Sequence, residues 1–138
     1  MVTIQIKSSA LKHLNSGHLW IYSNELFEIP KLQPGTIVEA VLNKSTQKSF
    51  GLAFYNPHSL ISLRLLLSNK EINTDFFIER ILKANKYRNE VYPQEKMYRL
   101  VFGESDLLPG LIVDRYGDYF SIQIHSAGME LLINQIIE

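Results

Sequence analysis

Phe50-Gly51-Leu52-Ala53-Phe54-Tyr55-Asn56-Pro57-His58-Ser59-Leu60-Ile61-Ser62-Leu63-Arg64-Leu65-Leu66-Leu67 reads as strand, turn, strand. Phe50, Leu52 and Phe54 recur at period two, the signature of a half-buried strand. Asn56-Pro57 breaks the run, and Leu60–Leu67 resumes it as an apolar strand interrupted by Arg64. Working back, Pro34-Gly35 is a turn ahead of a strand over 36–42, where Ile37 and Val41 alternate with polar or small neighbours. Trp20, Ile21 and Tyr22 begin another apolar run. Val2, Ile4 and Ile6 alternate with Thr3, Gln5 and Lys7. Between these two, Ser8 or Ser9 can cap a short helix through Leu11 and Leu14, stopped at Gly17. Five short strands with one early helix predict a compact barrel over residues 1–70.

Forward of the quoted stretch the pattern changes. Asn69–Asp75 is a polar connection. The spacing of Phe77, Ile78, Ile81 and Leu82 then predicts a helix from about Asp75 to Glu90, ended by Pro93. Tyr98–Phe102 and Leu111–Arg115 read as strands around a loop. Gly117-Asp118 is a two-residue hairpin signal leading into Phe120, Ile122 and Ile124. The predicted fold class is α+β: a small β-barrel over 1–70, then a small unit of helix, strand and β-hairpin over 72–125. Met129, Leu132, Ile133, Ile136 and Ile137 predict one amphipathic helix in the remaining stretch, 126–138. No glycine or basic last turn closes that helix, so the chain is expected to be part of a longer one.

With 46% hydrophobic and 20% charged residues among 138, this is a globular composition. The absence of cysteine excludes disulfides and thiolate metal sites within the chain and fits the cytoplasm. No apolar run approaches the about 20 residues needed to span a bilayer, so no membrane partner is expected. The net charge of zero hides a split. Residues 1–70 carry seven Lys and Arg against three Glu, a net +4; residues 71–138 carry seven against eleven, a net −4. A basic front half facing a polyanion is one reading of that asymmetry.

Lys7, Lys12, His13, His18, Lys44, Lys48 and Arg64 are the candidate RNA-contacting residues. Lysine and arginine meet phosphate, and imidazole faces can stack on bases. Trp20 is expected in the core, as a lone tryptophan in a small barrel usually is. Arg64, inside an apolar strand, must face solvent, reach a ligand or pair with a carboxylate, and pairing is the expected fate. Glu104, Asp106 and Asp114 lie around a Pro-Gly turn and invite an acid–base or metal reading, but Glu104-Ser105-Asp106 is expected to supply turn-capping oxygens to backbone N–H groups instead. A Ser105–Asp106–His125 triad is formally available and unsupported by spacing. The seven glycines contain no GxG pair, which excludes a nucleotide-binding turn of that kind here. No catalytic, cofactor-binding or metal-ligating residue is therefore assigned within the chain.

Four blocks in order resemble the N-terminal region of bacterial large-subunit rRNA methyltransferases of the cytosine-5 type, the methyltransferase I group. They are Gly17-His18-Leu19-Trp20-Ile21-Tyr22-Ser23; Gly51–Ile61 followed by Arg64; Tyr98–Gly117, which contains Phe102-Gly103-Glu104-Ser105-Asp106-Leu107-Leu108-Pro109-Gly110; and Ser126-Ala127-Gly128-Met129-Glu130. Leu19 stands where the family commonly has proline, and Leu108 where it often has glycine. The resemblance implies a PUA-like RNA-binding barrel for about 1–70 and an α+β linker domain for about 72–125. It also implies that 126–138 begin a helix leading into a Rossmann-like methyltransferase domain outside this chain. The implied partner is ribosomal RNA and the implied cofactor of the parent protein is S-adenosylmethionine, with the chain alone inactive. A homodimer of the parent is open at this stage. So is the rival reading of a protein-interaction or dimerisation module without direct RNA contact, whose mark would be an apolar exposed patch on the hairpin or last helix.

Overall fold

The alternation around Asn56-Pro57 becomes two antiparallel strands, β4 (Ser49–Tyr55) and β5 (Ile61–Leu65), in a computed structural model that describes residues 1–42 and 48–138. The chain folds as two compact units, Met1–Lys70 and Glu71–Glu138. In the first, β1 (Thr3–Gln5), β2 (Trp20–Tyr22) and β3 (Ile37–Val41) join β4 and β5 in one curled sheet of order β1-β3-β4-β5-β2. β1 runs parallel to β3; the other pairs are antiparallel. Beyond β1 and β2 the two ends meet. Ile6 bridges Leu26, the Lys7 N–H donates to the Glu25 carbonyl at 2.7 Å and the Phe27 N–H to the Gln5 carbonyl at 3.1 Å. The sheet therefore curls back on itself at one rim, which relieves the edge strands of unpaired backbone.

Ile4, Ile6, Ile21, Val38, Ala40, Ala53, Leu63 and Leu65 fill the interior of that curl. A sharp kink makes room for the chain leaving β5. Gly51 sits at φ +87°, and a Cβ there would come within 2.8 Å of the Ser68 carbonyl, so only glycine fits. That same carbonyl accepts the Leu52 N–H at 2.8 Å. The first helical segment is a 3-10 turn, Ser8–Ala10, running into the four-residue helix α1 (Leu11–Leu14). Neither Ser8 nor Ser9 caps it: the N-cap is Lys7, with no side-chain bond. Gly17, at φ +93°, ends it.

In the second unit α2 (Thr74–Val91) is capped by Asn73, whose side-chain oxygen accepts the Phe76 N–H at 3.1 Å. It packs on an antiparallel sheet of β6 (Met97–Phe102), β7 (Leu111–Tyr116) and β8 (Tyr119–Ile124), in that order. Phe76, Phe77, Ala84, Leu100, Val101, Leu108, Leu111, Val113 and Met129 form the apolar interior. The single final helix expected from its periodicity is instead two, α3 (Ala127–Leu131) and α4 (Ile133–Ile137). They are split at Leu132, where φ −105° and ψ 12° leave helical geometry. The fold class is α+β, as the sequence predicts.

Candidate nucleic-acid interface

Three residues of β2 decide what its outer surface offers. Ile21 is fully buried, so Trp20 and Tyr22, one position either side, face outward. Trp20 is half-buried, not core, because it lies on the outside of an edge strand whose inward position belongs to Ile21. Arg64 is its direct partner on β5, and residues directly opposite share a face. The guanidinium lies 5.4 Å from the Trp20 ring, a cation–π contact. Leu63 and Leu65 point inward while Arg64 points out. That alternation is how an arginine sits inside an apolar strand.

His13 ties α1 to this edge. Its Nε2 lies 3.0 Å from the Trp20 carbonyl; a carbonyl only accepts, so Nε2 carries the proton. The same nitrogen is 3.5 Å from Glu25 Oε2. Glu25, buried to 8% exposure, accepts the Tyr22 N–H at 2.9 Å. The His13 ring makes edge contacts with His18 and with Tyr22, each at 6.0 Å between centroids. His18, Lys12 and Tyr22 are exposed. Lys7 donates from Nζ to the Asn24 carbonyl at 2.9 Å, in the turn that follows β2.

The sequence candidates thus separate. His13, His18 and Arg64 gather about Trp20 and Tyr22; Lys12 lies on the helix that carries His13, and Lys7 borders the turn after β2. Lys48 stands apart. It is exposed ahead of β4, 5.4 Å from the Phe50 ring. Phe54, the β4 partner of Arg64, is six residues further on, about 20 Å at strand rise. Lys44 lies outside the described residues. Tyr22 and Glu25 were not among the sequence candidates. The period-two pattern about Ile21 carries a signal for Tyr22; nothing local marks Glu25, whose partners come from α1 and β2.

The acidic loop of the second unit is structural. Asp106 accepts two bonds from Arg88, at 2.6 and 3.2 Å, and the Phe102 N–H at 2.7 Å. Asp114 receives Arg99 at 2.8 and 3.1 Å. The hydrogen bonds from Arg99 hold the Asp114 carboxyl below its usual range. The turn-capping expectation is met at Asp106 by the Phe102 N–H, with Arg88 as a further partner; the two arginines were missed because they arrive from α2 and β6. Asp106 is turned to Arg88 and Phe102, and His125 to Gln123 at 3.3 Å, so the Ser105–Asp106–His125 triad is not assembled. Among the described residues no cluster of His, Asp and Glu is suited to a metal ion.

An outward aromatic pair, a stacked guanidinium, a histidine and flanking lysines suit a polyanion carrying planar bases. Comparison with known families matches residues 4–67 to the PUA-like domain. Residues 4–67 are a PUA-like domain. This PUA-like domain and the unit after it are together 36% identical over 133 residues to ribosomal RNA large subunit methyltransferase I of Vibrio cholerae, covering 92% of this chain and 32% of the relative. The protein of the same name from Aliivibrio fischeri is 34% identical over 146 residues, covering 99% and 36%. Among solved structures, a methyltransferase complexed with SAH superposes with a TM-score of 0.83 at 19% identity, over 99% of this chain and 36% of that one. A SAM-dependent methyltransferase from Streptococcus mutans gives 0.81 at 20%, over the same shares. At those identities the structural likeness bears on the fold. The chain spans about a third of the length of these relatives. No helix among the described residues is long and apolar enough to cross a membrane.

Proposed function

We propose that the PUA-like domain binds ribosomal RNA through the outer face of β2 and β5, with Trp20, Tyr22 and His18 offering ring faces and Arg64, Lys12 and Lys7 meeting phosphate. The observation that carries this reading is the half-buried Arg64–Trp20 stack on the outer face of the sheet, beside His13 and His18. A guanidinium already laid over an indole is organised before the ligand arrives and loses less freedom on binding. The names of the relatives supply the class of RNA. On this reading the chain positions a cytosine of large-subunit rRNA in the cytoplasm. A region of the parent protein outside this chain binds S-adenosylmethionine and transfers the methyl group. The chain alone then binds RNA without methylating it.

Fluorescence anisotropy of a labelled rRNA fragment tests it. Neutralising about three phosphates gives a slope of log K on log salt of about −2, so affinity falls about fifteenfold between about 50 and 200 mM salt. Arg64→Ala and Lys12→Ala should each weaken binding, whereas Lys48→Ala should leave it within about twofold because Lys48 lies elsewhere on the unit. An affinity indifferent to salt, or wild-type binding by the Arg64→Ala, Lys12→Ala double variant, would overturn the proposal.

A further inference from the structure

Among the described residues β8 is the edge of its sheet, hydrogen-bonded to β7 on one side only. Tyr119 is 80% exposed, Phe120 55% and Ile122 38%, and Ser121 and Gln123 are exposed with them. Edge strands are ordinarily shielded by lysine, proline, a bulge or short length. β8 has none of these: Tyr-Phe-Ser-Ile-Gln-Ile holds no charge and no proline, runs six residues, and pairs with β7 without a register shift.

The direction of each backbone group follows from the pairing. The His125 N–H donates to the Gly110 carbonyl at 2.7 Å, and the register continues Ile124 opposite Leu111, Gln123 opposite Ile112 and so on to Tyr119 opposite Tyr116. Hydrogen-bonded pairs alternate, so Tyr119, Ser121, Gln123 and His125 turn their N–H and C=O groups toward β7. Phe120, Ile122 and Ile124 therefore turn theirs to the free edge. The side chains of these same three share the apolar face of Leu111 and Val113, opposite which Ile124 and Ile122 stand.

We propose that this edge pairs with β8 of a second copy of the chain, antiparallel and two-fold symmetric about Ile122. In that register Ile122 faces its own copy and Phe120 faces Ile124 on either side. Three apolar pairs extend the buried face, and Ser121 meets Gln123 on the wet one. Each of the three pairs exchanges two bonds, about six in all, and every outward backbone group of Phe120, Ile122 and Ile124 is used. A shift of the axis to Ser121 or Gln123 leaves Ile124 or Phe120 without a strand partner. The strand carries no charge, so two copies meet without like-charge opposition. A wholly buried aromatic covers about 150–250 Å²; pairing covers only the exposed parts of Phe120, Ile122 and Ile124 and the free backbone edge, roughly 300 Å² per copy. That total of roughly 600 Å² is below a standard specific interface of about 1,200–2,000 Å² and sets a weak, transient, concentration-dependent dimer. This surface belongs to the second unit and does not depend on the RNA reading.

Sedimentation velocity on the 138-residue chain from about 5 to about 200 µM should show a monomer giving way to a dimer. Hydrogen exchange identifies the register. The amides of Phe120, Ile122 and Ile124 should slow about fivefold at the upper concentration, while those of Ser121 and Gln123, already held by β7, should not respond. Ile122→Pro removes only an outward N–H, a position where an edge strand tolerates proline; the chain should keep its fold while its dimer Kd rises at least about tenfold. Ile122→Lys, which sets two cations face to face across the axis, should do the same if the proline variant fails to fold. A monomer throughout the range, exchange at Ile122 unmoved by concentration, or an undiminished dimer in a folded variant would overturn the proposal.

Discussion

His13 and His18 stand five residues apart, yet only His13 is built into the framework. Its proton is committed to the Trp20 carbonyl and its ring wedges between His18 and Tyr22. His13→Ala should lower stability by about 1–2 kcal/mol, the cost of a part-buried carbonyl left without its donor, read as a lower urea midpoint. His18→Ala should leave that midpoint in place and act on RNA affinity instead. Gly51 gives a sharper case. Gly51→Ala combines a left-handed backbone with a Cβ against the Ser68 carbonyl, and the backbone strain alone costs about 1–3 kcal/mol; a thermal melt should show it. At this scale the sequence announces residue types better than neighbours. The basic and imidazole side chains could be named, but whether Trp20 was core or platform depended on which face of β2 turned inward, and Ile21 decided that.

Among the elements, α2 was legible because its apolar spacing and its end at Pro93 agree, and Asn73 supplies a cap inside what read as a polar connection. The final helix was not. Its apolar spacing suits an unbroken helix, and nothing in the side chains around Leu132 explains the break there. The acidic loop shows a different shortfall: its carboxylates were visible, its arginines were not. Arg88 and Asp106 are nearly buried together, with side chains 12% and 10% exposed. Removing one partner leaves a charge with nothing opposite it. Asp106→Ala should therefore cost about 3 kcal/mol, measured by urea denaturation. Asp114 makes a pH prediction. Its carboxyl titrates lower in the folded chain because Arg99 donates to it, so it stabilises the fold above the ordinary carboxylate range. That contribution is lost as pH falls through the depressed value. The stability difference between wild type and Asp114→Asn should be fullest at neutral pH and close on acidification.

For the whole molecule, the α+β class follows from periods of two giving way to a period of 3.6, and the structure keeps that order. The charge split was equally legible, because it needs only counting. What the sequence does not display is which cations share a surface. Arg64 reaches Trp20 through a pairing 44 residues apart in the chain, whereas Lys48, closer to Arg64 in sequence, is carried off along β4.

That long pairing has a bearing on synthesis. β1 must wait for β3, and β2 for β5, before either has a partner in the sheet. The Trp20 platform therefore does not exist on a nascent chain until Arg64 has emerged. Contacts so distant in sequence form slowly, on a scale of about milliseconds to seconds, while the tight hairpin of β7 and β8 can close in about microseconds. Nascent fragments ending short of residue 64 should hold every candidate residue but one and still bind RNA no better than an unfolded chain of equal charge.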